Sequence, residues 1–461
     1  MKKMILAISG GMLETKKPNN KIRQRIRYLN YGLLGLVTLL KHSCNIDTLM
    51  FQGEYEHPEE TLKKISDYGI NITKDCECIL LSIPSLYSVS WCKDFCKLIK
   101  ENFETKIIVG GRWVVDNRTN WIKEKLIYID GIITGFGEQT IIDMFSNVEN
   151  NNYCDGSKKC FDWLDYKLLY DYEKYQPCVE ISRGCGSGCQ FCADKANKRT
   201  ANKGISLISA ELDKINQLYN NKDFSIYFQA PHFVFESPWT DNFCKMLENR
   251  DILIPWRCTT RVESIKLEQL RILKESGLKV LDIGLESASC NQLLAMQKTK
   301  DPKRYLDLAE KILIECNKLG IWVKFNLLLY AGETYRTVNE TVNWITIHKE
   351  LIKNISVSSL TYYNNMSSLK DFFNLGASIP NQSSLLEQGY CNMNLSSEID
   401  ADTAQALAIN IPKIVSTQRD FYDIKKISYF EIGYSYADFL NDINECSLNK
   451  LPFTVEKDVL Y

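Results

Sequence analysis

Three cysteines in the run Arg183-Gly184-Cys185-Gly186-Ser187-Gly188-Cys189-Gln190-Phe191-Cys192 are the residues of this chain best suited to chemistry. Their spacing puts three thiols on one glycine-rich loop at the end of an expected strand, and the glycines let the backbone wrap closely around something compact. Three thiolates can hold three irons of a [4Fe-4S] cube, which leaves one iron open to a small-molecule ligand. Zinc is a rival reading. It needs a fourth ligand, for which Cys178 or Cys160 are candidates, but the paired CxxC knuckles of structural zinc are absent. Inert core cysteines are the third reading, and Gly- and Ser-rich loops rarely bury thiols.

The elements that must position this loop follow from length and composition. At 461 residues the chain is long enough for two or three domains, and 45% hydrophobic with 25% charged residues is ordinary for a folded globular protein. Lys plus Arg (56) nearly balance Asp plus Glu (57), so no general basic field points to nucleic acid. The apolar stretch Met4 to Ile8 is too short for a signal peptide, and no run suits a membrane span; Leu33 to Leu40 comes nearest but is interrupted by Gly35 and Thr38. The expected location is cytoplasmic, where most of the 17 cysteines stay reduced.

The expected fold class is α/β: an N-terminal doubly wound, Rossmann-like parallel sheet, then a (β/α)6 partial TIM barrel, then a small, mainly helical C-terminal region. In residues 1–150, strand-like runs at 4–9, 47–52, 78–82, 106–109 and 130–134 alternate with amphipathic stretches. Residues 151–176 read as a linker. From 177 to 363 the alternation resumes, with strands at 179–182, 225–228, 254–258, 280–284, 322–329 and 356–361. Ser237-Pro238 and Asp301-Pro302 read as helix caps followed by a first-turn proline, and Gly277 and Gly320 as helix ends. Leu306, Ala309, Leu313 and Cys316 recur at helical spacing, which makes Cys316 a core residue. Residues 364–461 give one helix, 400–415, and a weakly patterned tail, a region expected to cap the substrate.

The spacing Cys185-x3-Cys189-x2-Cys192, with aromatic Phe191 before the last cysteine, resembles the signature of radical S-adenosylmethionine (radical SAM) enzymes, over about 178–363. Gly284-Leu285-Glu286-Ser287, with Met296 and Lys298 downstream, resembles the family's G-x-E-S segment, and Ala331-Gly332-Glu333-Thr334 its P-G-E-T turn. The resemblance implies that SAM chelates the open iron through its methionyl amino and carboxylate groups. An electron from an external donor such as flavodoxin or ferredoxin then yields a 5′-deoxyadenosyl radical. It assigns Cys185, Cys189 and Cys192 to the cluster, and Phe191, Gln229, Arg261, Glu286 and Ser287 to SAM. Many relatives carry acidic residues where this chain has Phe228-Gln229-Ala230-Pro231; Gln229 can still accept a hydrogen bond through its amide oxygen. Arg261 can meet a carboxylate bidentately, or form an ordinary surface salt bridge.

The first 150 residues resemble the cobalamin-binding domain that precedes the barrel in one large subgroup, the class B radical SAM methyltransferases. The matching pieces are Tyr31-Gly32-Leu33-Leu34, Ser82-Ile83-Pro84-Ser85-Leu86, Val109-Gly110-Gly111, and Asp130 to Thr140, which follows D-x-x-x-x-G-E-G-E-x-T with Phe136 at the first Glu. The likeness assigns Ser82, Ser85, Gly110, Gly111, Gly135, Gly137 and Glu138 to cobalamin, the glycines clearing space for a flat corrin. The cobalt-ligating D-x-H-x-x-G motif is missing, and neither His42 nor His57 is placed to replace it. A domain kept only for packing is the alternative.

His232, beyond the second barrel strand, is a candidate proton carrier, and Cys258 a candidate hydrogen-atom donor on the same rim, against a plain buried thiol. His348 reads as a packed or surface residue, and Tyr330, Tyr362 and Tyr363 as an aromatic wall. The implied reaction is cobalamin-dependent methylation of an unactivated carbon in a small molecule, natural-product intermediate or peptide. Deoxygenation, rearrangement or epimerisation without methyl transfer, and a non-catalytic cluster or cobalamin protein, are the alternatives. No nucleic-acid or membrane partner is expected, and the oligomeric state is not legible.

Overall fold

The computed structural model describes residues 4–13, 20–145, 161–192, 195, 197–220, 222–363, 369–380 and 382–455. They form two compact units, Met1–Tyr175 and Gln176–Tyr461.

In the first unit, strands β1 (Met4–Ser9), β2 (Thr48–Gln52), β3 (Cys76–Ser82), β4 (Lys106–Gly110) and β5 (Gly131–Ile132) pair in parallel in the order β2-β1-β3-β4-β5. β1 and β2 are almost wholly buried, as strands covered by helices on both faces must be. The order reverses between β1 and β3, which places the ligand crevice of a doubly wound sheet at the carboxyl ends of those strands. β5 is shorter than the run 130–134 suggests. Asp130 just before it accepts from the Ile107 amide and the Lys100 ammonium, each at 2.7 Å, and turns the chain there.

Residues 161–175, read as part of a linker, pack on this same unit. A side chain on Gly35 would overlap the Phe161 ring, the Asp165 amide donates to Thr38 Oγ1 at 2.9 Å, and the Tyr170 amide donates to the Met50 carbonyl at 2.8 Å. The aromatics Phe161, Tyr166 and Tyr170 give the segment the apolar area to dock. Residues 151–160 lie outside the described residues.

In the second unit, β6 (Cys178–Glu180), β7 (Ile226–Gln229), β8 (Trp256–Arg261), β9 (Leu278–Glu286), β10 (Trp322–Leu329) and β11 (Asn354–Ser359) form a parallel sheet in sequential order, the wall of a partial barrel. Alternation along each strand sorts the side chains. Phe228 and Phe325 face the helices, against Phe243 at 4.9 Å and Trp344 at 5.8 Å between ring centres. The opposite parity is polar and partly open: Gln229, Thr259, Arg261, Asn326, Ser356 and Ser358 line the lumen.

The helix Pro302–Leu319 starts at Asp301, whose carboxylate accepts from the Arg304 amide at 3.1 Å, and ends at Gly320, φ +69°. It buries Ala309, Leu313 and Cys316. The Ser237-Pro238 expectation needs correction: Pro238 is itself the N-cap of Trp239–Glu248, and the Ser237 hydroxyl accepts from Gln269 at 2.8 Å.

The C-terminal region holds more order than its pattern suggests. A helix spans Ala401–Asn410 and continues as a 3-10 turn, Ile411–Ile414. β12 (Thr361–Tyr363) and β13 (Tyr390–Asn392) form an antiparallel pair. Two further helices, Gln418–Lys426 and Tyr436–Asn444, open with capping boxes at Thr417/Asp420 and Ser435/Asp438. Phe421, Tyr422, Phe430, Phe439 and Phe453 pack ring to ring between them.

Arg257, wholly buried at the start of β8, ties this region to the barrel. Its Nε donates to Asp282 Oδ2 at 2.9 Å and its Nη1 to the carbonyls of Ile424 and Ile427 at 2.9 and 2.7 Å, with the Tyr429 ring 4.5 Å away. Burial alone would raise the Asp282 carboxyl, but Arg257 and Lys324 hold it below its ordinary value. Truncating Asp282 to Ala strands two buried cations and should cost about 3–5 kcal/mol. Denaturant unfolding that shows a loss under about 1 kcal/mol would contradict this role for the pair.

Candidate active site

The cysteine loop leaves β6 through a buried ion pair, Arg183 Nε to Glu180 Oε1 at 2.9 Å. Gly184, Gly186 and Gly188 then take left-handed φ values of +69°, +71° and +72°. Gly184 is fixed by space as well, because a side chain there would overlap the Lys198 carbonyl oxygen. The amides of Cys185 and Gly186 both donate to the Asn197 carbonyl, at 3.1 and 3.0 Å, and the Thr200 amide returns to Arg183 at 2.8 Å. Farther along, the Gln190 amide donates to the Met296 carbonyl at 3.0 Å and its side chain bonds Asp371.

Cys189 is buried, while Cys185 and Cys192 are half-exposed. The Cys185 thiol lies 3.1 Å from Ser187 Oγ, and Cys189 Sγ accepts from Arg261 Nη1 at 2.9 Å. Among the described residues no three His, Cys, Asp or Glu side chains converge as a ready metal site. The loop nevertheless fits a cluster chemically: Gly186 and Gly188 flank a small serine between the first two thiols, and Arg261 stands ready to compensate thiolate charge. Of the candidate fourth zinc ligands, Cys178 is buried within β6 and Cys160 lies outside the described residues.

Polar groups collect at the carboxyl ends of β8 and β9. Lys298 Nζ pairs with Glu286 Oε1 at 3.0 Å, and Arg261 Nη2 donates to the Lys298 carbonyl at 2.8 Å. A Cβ on Gly284 would sit 2.6 Å from that Glu286 oxygen, so the glycine makes room for the pair. Glu286 has φ +67°, a left-handed conformation costing a non-glycine residue on the order of 1–3 kcal/mol. Gln229 ends β7 beside Glu180, and the Phe191 ring meets Tyr330 edge-on at 6.3 Å.

Other candidates are placed differently. Ser287 is buried, bonded to Thr341 Oγ1 at 3.0 Å and accepting from the Ser289 amide at 3.0 Å, so its hydroxyl serves the packing of Tyr335–Ile347. Cys258 lies on the helix-facing side of β8, opposite in parity to Arg261, and is fully buried, which pushes its thiol well above the ordinary range. It is therefore a core thiol and not a hydrogen donor to the lumen. Tyr362 and Tyr363 sit in β12, off the barrel wall, while Tyr330 packs on Phe372. His348 is buried, its Nδ1 2.7 Å from the Trp344 carbonyl.

His232 is buried and bonded to Ser264. Burial first, then the charges of Arg261, Arg199 and Lys298, push it down to about 4, so the imidazole is neutral near pH 7.

In the first unit, the crevice at β1 and β3 is organised by a residue that the motif comparison passed over. Asn30, N-cap of Tyr31–Ser43, donates to Ser9 Oγ and Ser82 Oγ at 3.0 Å each, and its amide donates to Gln52 at 2.7 Å. The Ser82 hydroxyl is thus already engaged. Ser85 Oγ lies 3.4 Å from Met12 Sδ. Gly111, at φ +107°, is compelled by the protein itself: a Cβ would lie 2.5 Å from Ser82 Oγ and 2.8 Å from the Ile83 amide. Gly135, at φ +70°, faces open space, and Gly110 and Gly137 meet only ordinary contacts. Glu138 opens the helix Glu138–Phe145 and is buried. Gly111 and Gly135 are exposed and Ser85 and Gly110 half-buried in the loops after β3–β5, the edge at which a doubly wound sheet binds ligands. His57 caps Pro58–Asp67 and His42 pairs with Asp165 at 2.8 Å, so neither stands at this edge.

Two outcomes test the site geometry. Gly184→Ala should disfavour loop closure by about 1–3 kcal/mol and lower the iron retained on anaerobic reconstitution; wild-type iron content would refute the constraint. His232, lowered when folded, binds fewer protons than the unfolded chain, so its contribution to stability is full above about pH 6.5 and lost as pH falls toward 4. An NMR titration should show a neutral ring down to about pH 5, and a midpoint near 6.5 would contradict the environment described.

Comparison with known proteins bears on the family and the fold. Residues 179–345 match the model of the radical SAM superfamily. An uncharacterized methyltransferase of Pyrococcus horikoshii is 23% identical over 169 residues, 36% of this chain and 36% of its own length. Among solved structures, the radical SAM methyltransferase TsrM of Kitasatospora setae, with cobalamin and a [4Fe-4S] cluster bound, superposes with a TM-score of 0.58 at 12% identity, covering 78% of this chain and 72% of that one. The cobalamin-dependent SAM radical enzyme OxsB, with aqua-cobalamin and SAM bound, gives 0.55 at 15% identity and covers 96% of this chain. This chain spans 66% of OxsB and about a third of the Pyrococcus protein. A radical SAM domain implies a [4Fe-4S] cluster and SAM, and no helix among the described residues is long and apolar enough to cross a membrane. Residues 179–345 thus carry a match to the radical SAM superfamily, and the α/β fold of the chain is like that of TsrM and OxsB.

Proposed function

We propose that this protein is a cobalamin-dependent radical SAM methyltransferase acting on an unactivated carbon of a small molecule or peptide. The observation that carries the reading is one chain holding both a three-cysteine glycine loop at the carboxyl end of a polar barrel lumen and a parallel sheet of order β2-β1-β3-β4-β5 with exposed glycines after its strands. When bound, the cluster and SAM supply a 5′-deoxyadenosyl radical, using an electron from a flavodoxin- or ferredoxin-type donor, and cobalamin supplies a transferable methyl group.

The chain's own residues do the rest. Cys185, Cys189 and Cys192 hold three irons, and Arg261 offsets the charge of the Cys189 thiolate. Glu286 and Lys298 present an acceptor and a donor fitted to the zwitterionic methionyl end of SAM, with Gln229 as a second acceptor. Phe191 and Tyr330 give an apolar wall. In the first unit, Ser85, Gly110, Gly111, Gly135, Gly137 and Glu138 hold the cobalamin, with Ser82 acting through Asn30. The barrel wall orients the substrate and keeps water from the radical.

The test is a product analysis of the reconstituted chain with SAM, cobalamin and a strong reductant. Formation of 5′-deoxyadenosine, with S-adenosylhomocysteine appearing only when cobalamin is present, is expected, and Cys189→Ala should reduce 5′-deoxyadenosine to background. Lasting absence of S-adenosylhomocysteine would instead favour a radical rearrangement, deoxygenation or epimerisation. An intact cluster that never cleaves SAM would leave a non-catalytic protein.

A further inference from the structure

The floor of the barrel lumen carries a positive charge that its neighbours do not balance. Lys324 on β10 stands in register with Asp282 on β9, its Nζ 3.0 Å from Asp282 Oδ1 and 2.8 Å from Asn326 Oδ1. The other oxygen of Asp282 is taken by Arg257, so one buried carboxylate faces two buried cations. Arg257 is completed by two backbone carbonyls and the Tyr429 ring. Among the described residues Asp282 is the carboxylate in ion-pair reach of Lys324.

Holding an excess cation in a buried site costs several kcal/mol unless an anion joins it. The donors for one stand together there. Asn326 is half-buried and faces the lumen in register with Gly284 on one side and Ser356 on the other. Because its Oδ1 accepts from Lys324, its Nδ2 is left as a donor, and the ammonium keeps a further N–H. Together they offer two adjacent donors and a net positive charge, the pairing a carboxylate or phosphate needs.

We propose that Lys324 and Asn326 form a seat for an acidic group of the substrate, a carboxylate or phosphate, at the floor of the lumen below the Glu286–Lys298 pair. The proposal rests on the lumen being the substrate chamber of the enzyme proposed above, and it narrows the substrate to an anionic molecule. Held by that end, the molecule would direct its other end up the barrel toward the cysteine loop.

The test uses the full, anaerobically reconstituted chain titrated calorimetrically with succinate and with inorganic phosphate. Saturable one-to-one binding of at least one probe is expected, weakened at least about tenfold in Lys324→Met and in Asn326→Asp, and kept within about twofold in Lys324→Arg. SAM affinity and reductant-driven 5′-deoxyadenosine formation should be unchanged in all three. Asn326→Asp leaves the Lys324–Asp282 pair in place, so it decides the matter if Lys324→Met fails to fold. No saturable binding of either probe, or equal binding in wild type and variants, would overturn the proposal. So would a parallel loss of SAM affinity, which would assign the cation to SAM itself. Anion binding with this mutant pattern in a chain that never cleaves SAM would uphold the seat and sink the enzymatic reading.

Discussion

The contact on which the site depends is the one between Gly184 and the backbone of Asn197 and Lys198. A single loop must present three thiols without a helix or sheet of its own. It does so because one carbonyl, that of Asn197, takes two amides from the cysteine limb, and because no Cβ at Gly184 stands in the way of that closure. The buried Arg183–Glu180 pair fixes where the loop leaves β6, and the Gln190 amide on Met296 fixes its far end against the segment after β9. The loop is thereby anchored to the same strand ends that carry Arg261 and Glu286. Cys189 and Arg261 meet as a consequence of that anchoring.

Strand parity divides the barrel into two chemistries. One set of alternate residues, Phe228, Cys258, Leu281 and Phe325 among them, makes a dry layer under the helices. The other set stacks charge up the lumen, from Arg257, Asp282 and Lys324 through Asn326 to the Glu286–Lys298 pair and Arg261 under the cysteine loop. The lower end of that ladder is also structural, since Arg257 is where the C-terminal helices are fastened to the wall. The barrel lumen and the C-terminal region therefore share one buried ion-pair network.

Much of this was legible in the sequence because parallel strands buried on both faces read as apolar runs. The barrel strands fall within a few residues of the expected ones, and the cysteine loop lies where its glycines suggest. The order within the C-terminal tail was not legible, because its core is built from rings scattered over 421–453 that meet only after two helices fold together. Of the two readings of Cys258, the plain buried thiol is the one its burial supports, and strand parity in the sequence already points to it. In Trp256-Arg-Cys-Thr-Thr-Arg261 the lumen parity is marked by Arg257, Thr259 and Arg261, and the cysteine falls between them. Gly111 has a reason within the protein that the motif does not reveal, since a Cβ there would meet Ser82 and Ile83. Asn30 escaped because an Asn before a helix reads as an ordinary cap, and only the folded sheet brings Ser9, Ser82 and Gln52 around it.

The central claim is that Cys185, Cys189 and Cys192 hold a cube whose fourth iron is left for SAM. Electron paramagnetic resonance of the dithionite-reduced, reconstituted chain, recorded with and without SAM, tests it most directly. The account predicts the spectrum of one reduced [4Fe-4S] cluster per chain whose signal changes shape when SAM is added, because SAM becomes a ligand to the open iron. A cluster spectrum indifferent to saturating SAM would contradict it.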